Sequence, residues 1–126
     1  MALAGAFRAA SHDSLRGRLR QLSGNKSALE TASGKLVEVR GDEPTTGVLN
    51  DRRLAGQDLE LIGERKSTDL FLVDPIHTKA MFVHKDGKRY FITYWCDICS
   101  IRTYTPGKCW CCQEETRIDL RERLEP

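Results

Sequence analysis

The chain has 126 residues and a formal net charge of +2, with 40% hydrophobic and 30% charged residues. That length excludes two independent large cores, because a domain typically needs about 100 to 150 residues. The composition is that of an ordinary globular protein and excludes an intrinsically disordered chain. The small net charge gives no indication of a dedicated polyanion-binding surface.

The N-terminal residues bear on the compartment of the protein. No apolar run approaches the ~18 residues of a membrane-spanning helix, so we expect no transmembrane segment. The small apolar stretch from Ala2 to Phe7 is followed by Arg8, and it is shorter than the roughly 7 to 15 residues of a signal-peptide core. We therefore expect a cytoplasmic protein, or an exported one if the true start lies upstream.

Short β-strands dominate the predicted elements. Leu15 to Leu22 is typical of a basic strand, and a short helix that begins after Ser14 is the alternative. Gly34 closes a predicted hairpin between residues 28–31 and 35–40. One or two helical turns follow at residues 45–54. Asp86 and Gly87 then join two apolar runs, which predicts a tight hairpin because both central residues of a type I′ turn need positive φ. The predicted strands are 15–22, 28–31, 35–40, 59–64, 69–73, 80–84, 89–95 and 116–120.

The sequence of these elements predicts the fold class. Several short strands with one brief helical insert are typical of a mainly β protein, here a small OB-like β-barrel with a C-terminal four-cysteine module. Another small barrel or a β-sandwich is the alternative. We divide the chain into a flexible N-terminal segment (residues 1–13), a small β-barrel (14–79) and a β-hairpin with the four-cysteine module (80–126).

All the cysteines cluster near the C-terminus, which is typical of a metal site, whereas disulfide bridges would be spread across the fold. Cys96 and Cys99 form one C-x2-C pair, and Cys109 and Cys112 form a second pair after nine intervening residues. Two residues between thiolates let one turn aim both sulfurs at a common point, so two such turns offer a tetrahedral ligand set. Cys111 is the alternative fourth ligand in place of Cys112.

Other cysteine chemistries fit the residues less well. A c-type haem needs a histidine after Cys99, where Ser100 stands, and a thioredoxin-like pair leads into a helix, whereas residues 100–106 look extended. Four thiolates leave no open position for water, so the site is expected to be structural or electron-carrying. No nucleophile with a placed base and no phosphate-binding glycine loop is evident, and we expect a protein that is not an enzyme.

Residues 94–113 resemble a zinc ribbon or a rubredoxin-like knuckle pair, as found in short form at the end of rubrerythrin-type proteins. The resemblance implies a zinc-ribbon-like module in which the metal ligands are Cys96, Cys99, Cys109 and Cys112. Rubredoxin knuckles usually carry glycine after the second cysteine of each pair and proline after the third cysteine, whereas Ser100, Gln113 and Trp110 stand at those places. This departure favours zinc over iron, which stays the alternative metal.

The aromatic residues are concentrated between Phe82 and Trp110. They are expected to pack the module onto the barrel, since Tyr90, Ile92 and Tyr94 share one face of a strand. The alternative is a platform on which nucleic-acid bases stack. Its cations would be Lys79, Lys85, Lys88, Arg89 and Arg102. Two nearby histidines, His77 and His84, are not required as ligands, because enough thiols are present.

The leading functional hypothesis is a small non-enzymatic zinc-binding protein. Its metal, held by cysteine thiolates, is a structural site that supports a binding surface for a protein partner of unknown identity. One alternative is a single-stranded nucleic-acid-binding module, in which an OB-like barrel and a zinc ribbon act together. The other alternative is a rubredoxin-like iron electron carrier.

Overall fold

Five strands close into a barrel in the computed structural model, which describes residues 13–124. These strands are β1 (Asp13–Leu22), β2 (Lys26–Glu30), β3 (Leu36–Arg40), β4 (Asp58–Ser67) and β5 (Leu70–Val73). β1 pairs with β2 and β4, and β5 pairs antiparallel with β4 and parallel with β3, so the barrel closes in the order β1-β2-β3-β5-β4. This arrangement confirms the predicted mainly β fold with a small OB-like barrel. The predicted flexible segment, residues 1–13, lies outside the described residues except for Asp13, which begins β1.

A short helix and a 3-10 turn fill the connection between β3 and β4. The helix α1 (Glu43–Leu49) begins after Asp42, whose carboxylate accepts a hydrogen bond from the backbone N of Thr45 at 3.1 Å. The 3-10 turn (Arg52–Leu54) follows directly. The predicted helical turns at residues 45–54 are therefore confirmed, and their buried apolar residues join the barrel core.

The core is built by the alternation of side chains along each strand. Leu15 and Leu19 of β1 and Leu59 and Leu61 of β4 all point inward and are buried. Gly17 lies where β1 passes from β4 to β2, and a Cβ there would stand 2.5 Å from the backbone oxygen of Glu30. The strands approach closely at this point because no side chain separates them.

Four further strands extend the sheet beyond the barrel. They are β6 (Met81–Lys85), β7 (Lys88–Cys96), β8 (Ile101–Thr103) and β9 (Arg117–Arg121). β6 pairs with β4 and β7, and β7 also carries β8 and β9. Asp86 and Gly87 have φ of 54° and 77°, so the predicted type I′ turn between β6 and β7 is confirmed.

The barrel and the C-terminal hairpin share one hydrophobic core. Met81, Val83, Ile92 and Tyr94 belong to the same buried cluster as the barrel leucines. The division of the chain at residues 79 and 80 stays a prediction, and both the sheet and the core continue across it. β7 ends at Cys96, so the first cysteine follows directly on a strand that packs in this shared core.

Candidate metal centre

The first cysteine pair lies in a tight turn between β7 and β8. Cys96 is the last residue of β7 and pairs with Ile101 of β8. The backbone N of Ser100 donates to the carbonyl of Cys96 at 2.9 Å, and Ser100 has a φ of 56°. The chain thus reverses within the Cys96–Ser100 segment, and this reversal brings Cys99 back beside Cys96.

The second cysteine pair repeats this geometry. The backbone N of Gln113 donates to the carbonyl of Cys109 at 2.6 Å, and Gln113 has a φ of 67°. Ser100 and Gln113 therefore adopt the left-handed conformation at the two places where rubredoxin-like knuckles usually carry glycine. Both turns thus contain a left-handed residue although neither residue is glycine. A bridge between Lys108 and Glu115 closes the base of the second turn.

The two turns bring four sulfurs together. The Sγ atoms of Cys96, Cys99, Cys109 and Cys112 all lie within 4.8 Å of one another. The Sγ atoms of Cys96 and Cys112 are 3.5 Å apart. In a tetrahedron with Zn–S bonds of about 2.3 Å, the sulfurs are separated by about 3.8 Å. The four cysteines are thus positioned to hold a metal ion, and they offer no donor other than sulfur.

Burial and backbone hydrogen bonds act in opposite directions on the thiols of this cluster, because burial disfavours the thiolate and hydrogen bonds from N–H groups favour it. The first cysteine of each pair, Cys96 and Cys109, is buried, and the second, Cys99 and Cys112, is half-buried. The backbone N of Cys99 donates to Cys96 Sγ at 3.3 Å. Backbone N–H groups of Cys112 and Cys111 likewise donate to Cys109 and lower its thiol pKa to about 7, because these bonds stabilise the charged form. The pKa of Cys99 is raised, chiefly by its hydrogen bond with Cys111.

The remaining candidate ligands lie elsewhere. Cys111 is exposed and stands outside the group of four sulfurs. His77 Nε2 is 2.7 Å from the carbonyl oxygen of Tyr104. His84 Nε2 is 2.7 Å from Glu60 Oε1. The structure therefore brings Cys112 to the cluster and leaves Cys111 and both histidines out of it.

An arginine beside the barrel anchors the second cysteine turn, Cys109 to Gln113, which we call the second knuckle, the first being the turn from Cys96 to Ser100. The guanidinium of Arg53 donates to both carboxylate oxygens of the buried Asp51 at 2.9 Å, and to the carbonyl of Thr116 at 2.9 Å. Thr116 Oγ1 in turn donates to the carbonyl of Gly107 at 2.8 Å. Sequence reasoning missed this anchor. The visible signal was Asp51, which caps the 3-10 turn through the backbone N of Arg53 at 3.0 Å.

A second anchor joins β8 to β9 across β7. Arg102 Nη1 donates to Thr93 Oγ1 at 2.7 Å and to Asp119 Oδ2 at 2.8 Å, and its guanidinium lies 4.8 Å from the ring centroid of Trp95. A half-buried charged pair with added hydrogen bonds holds a fixed geometry better than an exposed pair does. The first knuckle is thereby fixed to the scaffold from which β7 emerges.

The aromatic residues mostly pack within the structure. Phe82 and Phe91 meet edge to face with their centroids 5.1 Å apart, and Tyr94 is fully buried. Within residues 13–124, Trp110 is the exception, since it is 76% exposed beside the cysteine cluster. Three of the cations expected to assist base stacking are paired with acids. These pairs are Lys88 with Glu122, Arg89 with Glu60, and Arg102 with Asp119.

Comparison with known proteins finds no family model, no curated protein and no solved structure that matches the chain. Within residues 13–124, no helix has both the length and the apolar character needed to cross a membrane. Fold and site together define a class: a small mainly β protein with a closed five-stranded barrel and a four-cysteine cluster compatible with metal binding.

Proposed function

We propose that this protein is a non-enzymatic zinc-binding protein in which the metal is structural. The observation that carries the proposal is the set of four sulfurs within 4.8 Å of one another, drawn from two turns of the same geometry. A four-thiolate site is closed, and closed sites serve folding rather than hydrolysis. The metal would tie the second knuckle to the end of β7, across a connection that contains only the short strand β8.

The metal would also support a binding surface at the tips of the knuckles. Ile98 is 68% exposed and Trp110 is 76% exposed, and each lies between the two cysteines of its turn. Large apolar side chains on a turn held by a metal are presented to a partner with little loss of conformational freedom on binding. A cytoplasmic location, in which these thiols stay reduced, remains our expectation.

Elemental analysis with a visible spectrum tests the metal. The purified protein is expected to be colourless and to hold about one equivalent of zinc. Cys96→Ser should lose the metal, because Cys96 is a buried member of the cluster. Cys111→Ser is the matched control and should keep it, because the Cys111 side chain lies outside the group.

Other results of the same analysis would redirect the proposal. Bound iron with a thiolate charge-transfer spectrum would establish the rubredoxin-like electron carrier instead. A metal-free protein whose cysteines are joined as disulfides would contradict the zinc site altogether.

Single-stranded nucleic-acid binding is a second candidate because of Trp110, whose exposed ring has room to stack on a base. The test is fluorescence titration of the zinc-loaded protein with oligothymidylate at two salt concentrations. Salt-dependent binding that is lost in Trp110→Ala would support this candidate. Absence of binding at low salt would leave a protein partner as the occupant of the surface.

A further inference from the structure

An open hollow on the surface of the barrel is lined by three arginines of one strand, and we call it the arginine hollow. Arg16, Arg18 and Arg20 occupy alternate positions of β1 and are exposed on its outer face. With Glu30 at the end of β2 and Asp58 at the start of β4, they line a volume of about 400 Å³. The residues around this volume all belong to the barrel strands or to the turn after β2, so the site does not involve the cysteine cluster.

The two carboxylates of the hollow are engaged by the two outer arginines. Arg16 donates to both oxygens of Asp58, from Nε at 3.1 Å and from Nη2 at 2.9 Å. Arg20 Nε donates to Glu30 Oε1 at 2.8 Å. Both pairs are diagonal in the sheet, because the register places Glu30 and Asp58 directly opposite Arg18, one on each side. Within residues 13–124, Arg18 is therefore left without an ion pair.

The guanidinium of Arg18 is positioned by the backbone instead of by an acid. Its Nη1 donates to the carbonyl of Gly56 at 3.0 Å, and the N–H of Gly56 donates to the carbonyl of Leu19 at 2.9 Å. The acceptor is thus itself hydrogen-bonded to β1. This bond uses one of the five N–H donors of a guanidinium. The middle of the hollow therefore holds an oriented cation with donors left for an oxyanion.

We propose that the arginine hollow binds a small hydroxylated anion of the sugar phosphate class, with the phosphate held by Arg18. A guanidinium binds two oxygens of a phosphate at once, and such charge-assisted hydrogen bonds are stronger than those between neutral groups. The volume of about 400 Å³ lies within the roughly 300 to 1,000 Å³ of small-molecule sites. It has room for a sugar as well as for the phosphate.

The carboxylates of the hollow restrict what the ligand can be. An ionised carboxylate only accepts hydrogen bonds, and within residues 13–124 Glu30 Oε2 receives none. A hydroxyl group of the ligand can donate to this oxygen while its phosphate meets Arg18. A chain of successive phosphates would instead bring negative charge against both Glu30 and Asp58, which is unfavourable. The hollow thus fits one anionic group with hydroxyls beside it and not the backbone of a nucleic acid.

The test is a titration of the purified protein with ribose 5-phosphate, followed by NMR through the Nε–H signals of the arginine side chains. The wild type should bind saturably, with a dissociation constant on the order of 1 mM or below, and ribose without the phosphate should not bind. Arg18→Gln should weaken binding at least about tenfold, because it removes the hydrogen bonds of a charged group. Arg18→Lys keeps the charge but loses the paired donors, and it should also weaken binding.

Arg65→Gln is the matched control for these variants. Arg65 is exposed and donates to a backbone carbonyl, that of Thr68 at 3.5 Å, but it lies outside the hollow. Its replacement should change the affinity by less than about twofold, because an exposed charge acts only weakly at a distance.

Several results would overturn the inference. One is the absence of saturable binding up to about 20 mM ribose 5-phosphate. Another is equal weakening in Arg18→Gln and Arg65→Gln, which would show attraction to the overall charge and not to a site. Equal binding of ribose would show that the phosphate is not recognised. Tighter binding of oligothymidylate than of ribose 5-phosphate, lost in Arg18→Gln, would make the hollow a nucleic-acid site instead.

Discussion

Arg53 links the barrel to the carbonyl of Thr116, beside the cysteine module, and Asp51 holds the guanidinium of Arg53 in place. The side chain of Asp51 is 5% exposed and that of Arg53 is 35% exposed. Burial raises the pKa of Asp51, but the hydrogen bonds from Arg53 outweigh it and leave the pKa below its ordinary value. A carboxylate whose folded-state pKa is lowered stabilises the folded protein above its unfolded pKa of about 3.9, and this contribution is lost as pH falls through the folded pKa.

Asp51→Asn should lower the free energy of unfolding of the zinc-loaded protein by about 2 kcal/mol at pH 7, because it leaves Arg53 without its charged partner. The difference in free energy of unfolding between the wild type and the variant should shrink as the pH falls below about 4, because the wild-type carboxylate then becomes protonated and loses its charge. Urea denaturation at pH 7 measures the loss, and denaturation of both proteins freed of zinc, at pH 7 and at pH 3, measures its pH dependence, because acid protonates the thiolates and releases the metal. Asp58→Asn is the matched control, since the Asp58–Arg16 pair is exposed and should contribute less than about 1 kcal/mol. Equal losses in the two variants would contradict the anchor.

At the scale of the elements, two glycines have opposite surroundings. Gly17 lies in β1 where the strand changes partner, and an added Cβ would meet the backbone of Glu30 at 2.5 Å. Gly47 lies inside α1, and an added Cβ there would meet nothing within 4 Å. Close backbone approach therefore requires glycine at the first position, while the helix gains nothing from glycine at the second.

Gly17→Ala should destabilise the protein by about 1 to 3 kcal/mol, because the barrel must open locally to admit the methyl group. Gly47→Ala should stabilise it by about 0.5 to 1 kcal/mol, because alanine restricts the unfolded chain and has the higher helix propensity. Thermal or urea unfolding of both variants, compared with the wild type, measures the two changes in stability. A Gly17→Ala variant as stable as the wild type would show that β1 is not constrained in the way the barrel closure requires.

At the scale of the whole molecule, the hydrophobic core and the cysteine cluster are separate sources of stability. The core cluster contains residues of the barrel, α1, β6 and β7, and none of the five cysteines. A core of this kind can form without a metal in a chain of this length. The segment from Asp97 to Glu115 contains only the three-residue strand β8, so it depends on the cluster and on its two anchors.

Removal of zinc with a strong chelator should therefore leave the barrel folded and disorder the segment from Asp97 to Glu115. Hydrogen exchange measured by mass spectrometry should show retained amide protection in β1 to β5 and lost protection in residues 97–115. Cys96→Ser without chelator should give the same exchange pattern. Cooperative loss of protection across the barrel would show instead that the metal holds the whole fold together.

Much of the barrel could be predicted because its signals are local. Alternation of apolar residues and the Asp86-Gly87 pair each depend on neighbours within a few positions. The parallel pairing of β3 with β5 and the double pairing of β1 could not be read in this way, because they join strands distant in sequence. The same holds for Arg53 and Thr116, which are 63 positions apart.

The features of the cysteine cluster likewise fall into those that depend on local sequence and those that depend on the tertiary structure. By itself the sequence determined that two C-x2-C turns exist, since the spacing alone limits how a turn can present two thiols. Only the tertiary structure decided that Cys112 and not Cys111 joins Cys96, Cys99 and Cys109. The physical reason is that Cys111 and Cys112 are both close enough to Cys109 in sequence to share a metal with it. Which of the two side chains points toward the other sulfurs depends on how the left-handed turn at Gln113 lies against the end of β7.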